Sequence, residues 1–550
     1  MKTKLAILLP LVASIVVHAQ REHPNRPTET GGPLAFEQAA FDVQSYDISV
    51  KVDPAKKTIS GTTVMMAKIV IPTNVIRLEL DTPYKISKLT EGGRDANYQF
   101  KDGHIWIWFP MTKQVGETIT TSISYEGAPR VAPNPPWIGG FMWAKTPGGA
   151  DWVSVALQND GADLLFPCKD HPSDKPATAT MRITVPDPLV AAGPGELIST
   201  VKNRDGTSTY TWRMTNPIAN YSLVFNAAPY RVIRDTVRSI TGEMIPLEFY
   251  ILPESYANGA KLIAETKKYN AFFEKYLGPY PFRAIKLGIV ETPHLGMEHS
   301  TAIAYGNKFR FAEDGFDWLM FHEFGHEWWA NLVTASDWRD FWIHEGFQSF
   351  MDTLWVEETK GKAAYFTAMK NRQRGFRNMQ PVAPREPKIA YQVYMAEPDY
   401  TRSDGDIYGK GAYILHTLRY LIGDDAFFRA LRRMAYPTKE MEKLTDGRQE
   451  RLVNTDDFLT IAEAECKCEL DWFFELYLRQ PKLPKLVTNT SGNTLNLRWE
   501  TPNDLRFPMP IEVVIDGKTQ RVEMTADKAS VAFNATAPVI DPNGWVLKAP

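Results

Sequence analysis

The sequence predicts a multidomain α+β protein with an N-terminal all-β domain, a mostly helical middle domain and a small C-terminal β-sandwich. Three observations predict it. Apolar residues alternate with period two over residues 36–235. They switch to helical spacing over 236–480, and the alternation returns over 485–550, beyond Pro481 and Pro484. A chain of 550 residues is also too long for one small core. The net charge of -3 lacks the basic excess of nucleic-acid-binding proteins, so no nucleic-acid partner is expected. Three cysteines cannot make a disulfide framework. Cys466 and Cys468 are one residue apart, unlike the usual zinc spacing, and are read as free thiols; Cys168 is read as a small buried residue.

Residues 1–19 read as a signal peptide. Lys2 and Lys4 precede an apolar run from Leu5 to Val17, and Val17-His18-Ala19 resembles a small-x-small cleavage site. The run is too short to span a bilayer and Pro10 interrupts it, so no stable membrane insertion is expected. The expectation is export to the periplasm or the cell exterior. Residues 20–35, polar with prolines and glycines, read as a flexible leader.

The β domain follows. Tyr46, Ile48, Val50 and Val52 share one strand face, as do Ile119, Thr121, Ile123 and Tyr125. Leu262, Thr266, Tyr269, Phe273 and Leu277 then mark a helix stopped by Gly278-Pro279. A strand is expected at Ile285 to Val290. In the last domain Leu495, Leu497 and Trp499 alternate, and Ile511, Val513 and Ile515 precede an Asp516-Gly517 turn. Nothing in the pattern speaks to oligomeric state.

The chemistry centres on His322-Glu323-Phe324-Gly325-His326, in a proline-free run of helical periodicity. On a helix, residues i and i+4 share a face, so His322 and His326 can bind one zinc ion. Glu323 points off that ligand direction and can reach a water at the metal, the position of a hydrolytic base. Glu345 follows with 18 residues between and completes a His, His, Glu set that leaves a fourth coordination position open. One Zn2+ per chain is expected. His104, His171 and His416 are read as packing or capping residues.

At these residues the chain resembles the aminopeptidase N family of zinc metallopeptidases. His322 to Val333 is similar to its zinc helix and Trp342 to Phe347 to its third-ligand segment. Leu295-Gly296-Met297-Glu298-His299 resembles the exopeptidase motif Gly-x-Met-Glu-Asn, with Leu295 and His299 departing from it. Tyr408-Gly409-Lys410-Gly411-Ala412 resembles the segment that carries a catalytic tyrosine, and His344 stands where asparagine is usual. The resemblance runs from about Ala35 to Pro484 and implies a thermolysin-like catalytic domain. It implies a zinc-dependent aminopeptidase acting on peptides with a free N-terminus. In it Glu323 is the base, Tyr408 stabilises the oxyanion, and Glu298, Gln158, Gly296 and Met297 bind substrate. Glu298 would fix the α-amine, and the edge of the Ile285 to Val290 strand would pair with the peptide. Many members carry a long helical domain after the small β-domain; none is seen here, so longer peptides are expected to reach the site. The alternatives are a thermolysin-type endopeptidase, a relative that also opens epoxide lipids, and a peptide-binding member with weak or no catalysis.

Overall fold

The computed structural model describes residues 30–534 and 536–550; the stretch read as a signal peptide, 1–19, and the first ten residues read as a leader lie outside them. The N-terminal domain is built on an eight-stranded sheet. At its centre, strand Phe41–Asp53 pairs antiparallel with Thr58–Ile69 and parallel with Thr178–Pro186. Tyr46, Ile48, Val50 and Val52 are all buried, because period-two alternation sends one face of the strand into the core. Three-stranded and four-stranded sheets complete the domain.

A five-stranded sheet opens the middle domain, in the order Arg231–Arg238, Met244–Ile251, Leu287–Glu291, Ile303–Tyr305, Gly296–Met297. Two expectations are corrected here. A boundary at residues 235/236 falls inside strand Arg231–Arg238, which belongs to this sheet. Alternation reveals a strand but not its partner. The strand read at Ile285 to Val290 is Leu287–Glu291, and it is central, with partners on both sides. The edge strand on this side of the sheet is instead Gly296–Met297.

The longer helices that follow are α1 (Tyr256–Leu277), α2 (Trp318–Gly325), α3 (Trp342–Lys360), α4 (Lys362–Arg372), α5 (Gly409–Ile422), α6 (Asp424–Ala435), α7 (Thr455–Cys466) and α8 (Asp471–Arg479). Leu262, Thr266, Tyr269, Phe273 and Leu277 of α1 are fully buried, and Gly278 ends the helix at a φ of 101°. Phe273 stacks on Trp328 at 5.3 Å, which seats α1 against the chain following α2. No helix among the described residues is long and apolar enough to cross a membrane.

The C-terminal domain packs two three-stranded sheets face to face. One buries Leu495, Leu497 and Trp499, the other Ile511, Val513 and Ile515. Asp516 and Gly517 both adopt positive φ in the tight turn between Ile515 and Lys518. Phe507 meets Trp472 and Tyr477 of α8 at 5.4 and 5.5 Å, docking the sandwich on the middle domain.

Two further expectations are corrected. Cys466 and Cys468 are not free thiols but form a disulfide. Lys467 takes a left-handed conformation at the end of α7, and this bend brings the two Cα atoms to 5.3 Å. Residues 30–35 are not a loose leader throughout. Thr30 is buried and Gly31 bridges to Ile389, because the backbone groups of 30–32 find partners in both neighbouring domains.

Candidate metal centre and peptide cleft

Asp317 starts α2 by accepting a hydrogen bond from Met320 N. The helix carries His322 and Glu323 and ends on His326, which still has helical dihedrals. The backbone leaves helical geometry at Trp329 and Ala330 and turns into the short strand Val333–Ala335. A turn at Trp338–Asp340 then leads into α3 and Glu345.

The three side chains converge. Glu345 Oε2 lies 3.4 Å from His322 Nε2 and 3.5 Å from His326 Nε2, and the two nitrogens are 3.3 Å apart. Ligand atoms about 2.1 Å from one tetrahedral centre are about 3.4 Å apart, so the three fit a single zinc ion. The other ring nitrogens agree. His322 Nδ1 donates to Asp352 Oδ2 at 3.0 Å and His326 Nδ1 to Trp329 O at 2.8 Å. Both Nε2 lone pairs therefore face the centre, and Glu345 Oε2 has no hydrogen-bond donor. Among the described residues these three form the one group of His, Cys, Asp or Glu side chains close enough to hold a metal.

A cavity of about 140 Å³ opens over the triad and is lined by Glu323, Glu298, Gln158, Gly296, Met297 and Tyr408, among others. Glu323 is almost buried, and burial raises its carboxyl above the ordinary value, against the opposing pull of His322 and His326. Gly296 leaves room for it: a Cβ there would stand 2.6 Å from Glu323 Oε1 and 2.7 Å from Leu319 Cδ1. Met297 is buried beside it and pairs with Ala304.

Glu298 is also buried, and its Oε1 accepts hydrogen bonds from the Gln158 amide and, at 3.0 Å, from the Tyr221 hydroxyl. Its main-chain oxygen accepts from Asn331 Nδ2 at 2.9 Å, tying the strand to the segment after α2. Burial raises the Glu298 carboxyl, with His326 opposing and Glu345 reinforcing the shift. Tyr408 sits at the start of α5, its ring 6.4 Å from that of Tyr394. Burial, then the Glu345 charge and Tyr394, hold its hydroxyl well above the ordinary tyrosine pKa, so it is a proton donor at neutral pH.

The structure also locates the departures. Leu295 lines the cavity, whereas His299 is fully buried among core residues and does not. His344 Nε2 accepts from Ala335 N at 2.9 Å, fastening the first turn of α3 to the strand that follows α2. Sequence reasoning missed Tyr221, Asp352, Tyr394 and Asn331. Asp352 was within reach, lying two turns beyond Glu345 on the same face of α3. Tyr221 belongs to another domain, and no spacing links it to Glu298.

The chain matches the family models of the Peptidase M1 N-terminal domain over residues 43–222 and the Peptidase family M1 domain over residues 262–477. Human glutamyl aminopeptidase is 24% identical over 543 residues, covering 90% of this chain and 53% of that protein. Tricorn protease-interacting factor F2 of Thermoplasma acidophilum is 22% identical over 402 residues, covering 68% of this chain and 47% of that protein. The chain thus spans about half the length of the curated relatives it matches. An M1 zinc metallopeptidase from Deinococcus radiodurans superposes with a TM-score of 0.66 at 22% identity, over 84% of this chain and 98% of that one. A mutant of it, solved with a Tyr-Ser-Ala substrate, gives the same score, identity and coverage. Two domain matches in the family's order, a shared fold and a converged His-His-Glu triad place this chain in peptidase family M1, the aminopeptidase N-type gluzincins that its motifs resemble.

Proposed function

We propose that the protein is a zinc-dependent aminopeptidase that removes the N-terminal residue from peptides. The observation that carries this reading is the buried carboxylate of Glu298, which shares one cavity with the triad and Glu323. An endopeptidase needs no such acid, because mid-chain substrates bring no charged amine to the metal.

His322, His326 and Glu345 would hold zinc, which supplies a Lewis acid that makes water a nucleophile near neutral pH. Glu323 takes the proton of the attacking water on its carboxylate and returns it to the leaving amine. The Tyr408 hydroxyl donates to the oxyanion that develops on the scissile carbonyl. The substrate α-amine, with an ordinary pKa of about 8, is held by Glu298, whose orientation Gln158 fixes. The backbone of the first residues runs along the free edge of Gly296–Met297. Depth is limited by these acids, so one residue is measured off before the scissile bond reaches Glu323.

The cavity walls also include Trp137, Trp318 and Leu295, and among the described residues they carry no lysine or arginine. This supports apolar over acidic N-terminal side chains. The same proposal includes export, supported by the Lys2 to Ala19 pattern and checked by finding Gln20 at the N-terminus of the exported protein. The main test uses amino-acid arylamides and short peptides, each with a free or an acetylated amine, with and without a chelator. Turnover should need the free amine and vanish with chelation. Equal cleavage of acetylated peptides would replace this reading with an endopeptidase.

A further inference from the structure

Residues 30–32 lie before the segment that matches the N-terminal family model, yet they are bound on both sides. Toward the N-terminal domain, Gly31 N donates to Asp170 O at 3.4 Å and His171 Nε2 donates to Gly32 O at 2.9 Å. Toward the middle domain, Gly32 N donates to Lys388 O and Ala390 N to Thr30 O, both at 3.1 Å. Trp338 Nε1 donates to Thr30 Oγ1 at 3.3 Å.

Gly31 has a φ of +85° and is pressed against Trp338: a Cβ would stand 2.1 Å from Trp338 Cδ1 and 2.8 Å from its Nε1. The Trp338 ring in turn lies 6.2 Å from that of Tyr221. Thr30, Trp338 and Tyr221 line one narrow gap with room for about a single water, so a displaced indole bears on its neighbours. The Tyr221 hydroxyl ends the series on Glu298 Oε1 at 3.0 Å.

We propose that residues 30–32 are a staple that positions Glu298 for the substrate amine, acting through Trp338 and the Tyr221 hydroxyl. Gly31, Trp338 and Tyr221 are positioning residues; none of them lines the cavity over the triad. The proposal rests on the reading of Glu298 as the amine anchor. Its effect belongs in KM for free-amine substrates more than in the chemical step, because the series ends in a hydrogen bond to Glu298 and not to Glu323, His322, His326 or Glu345.

The experiment measures KM, kcat, zinc content and thermal midpoint of the full mature chain on a free-amine arylamide. A hydrogen bond to a charged group is lost in Tyr221→Phe, so KM should rise about tenfold with kcat and zinc retained. Gly31→Ala should raise KM about fivefold in the same way. Thr30→Val, which removes the acceptor of Trp338 Nε1 without touching the backbone, should show the same pattern more weakly. In the double variant Gly31→Ala with Tyr221→Phe, the two effects should not multiply, since both act through one hydroxyl. An unchanged KM in Gly31→Ala and Thr30→Val, multiplied effects in the double variant, or a joint loss of kcat and zinc would overturn the staple. Glu298→Gln is run beside them. If it leaves the preference for free over acetylated amines intact, the anchor reading itself fails, whatever the staple variants do.

Discussion

Glu323 and Glu345 are carboxylates in one cavity with different duties, and direction separates them. Glu345 Oε2 faces both imidazoles, whereas Glu323 faces the free edge at Gly296. Glu323→Gln keeps the shape and removes the base. It should lower kcat by about 10²–10⁴ with zinc content intact; activity within a factor of two of the parent would remove Glu323 from the mechanism. Asp352 does its work one bond further out. It fixes the His322 ring, and is itself held by Gln348 at 3.1 Å and Arg372 at 3.5 Å. Asp352→Ala should weaken zinc affinity by about 10–100-fold, read by competition with a chromophoric chelator. An unchanged affinity would mean that α3 alone orients the ring.

At the scale of the element, α5 joins the cleft to the C-terminal domain. Tyr408 stands at its start, and its later turns are clasped by the last residues of the chain. Trp545 stacks on His416 at 4.6 Å, His416 Nε2 donates to Gly544 O at 3.1 Å, and Tyr365 donates to His416 Nδ1 at 2.7 Å. This imidazole is buried and neutral, and burial lowers its pKa to about 3. A base whose folded pKa lies below its unfolded value of about 6.5 gives stability that is full above pH 6.5 and lost as pH falls toward the folded value. From pH 7 to pH 5 the group should cost about 2 kcal/mol. Denaturant unfolding of the parent and His416→Gln at both pH values checks this. The variant should lose less on acidification, and equal losses would show that His416 does not carry the effect.

For the whole molecule, the cleft exists only where two domains meet, and a buried ion pair crosses that seam. Lys175 of the N-terminal domain donates to Glu450 and to Asn331 O, each at 2.8 Å, and to Thr334 Oγ1 at 3.2 Å. Both charged side chains are almost wholly buried. Burial raises the Glu450 carboxyl to about 7, with the Lys175 charge opposing. Lys175→Met would strand that acid and should destabilise the protein by about 3–5 kcal/mol. The seam should loosen first, seen as faster amide exchange in 331–335 than in the C-terminal sandwich. A loss spread evenly over the chain would contradict this.

The sequence by itself determined what local spacing can encode. Period-two and helical alternation fixed the three-part layout, because side-chain direction follows backbone period. The i, i+4 histidines on one helix pointed to a metal site for the same reason, and Glu345 followed from the three-ligand count such a site needs. Local spacing is silent on partners distant in the chain. Only the tertiary structure decided that Leu287–Glu291 is central and Gly296–Met297 the open edge, since strand order is a matter of which segments meet. Only it joined Cys466 to Cys468, through one left-handed residue, and brought Tyr221 from the β domain onto Glu298, beside the Gln158 that the family resemblance names. It alone turned the end of a polar leader into a staple, because the partners of Gly31 and Gly32 lie more than a hundred residues away.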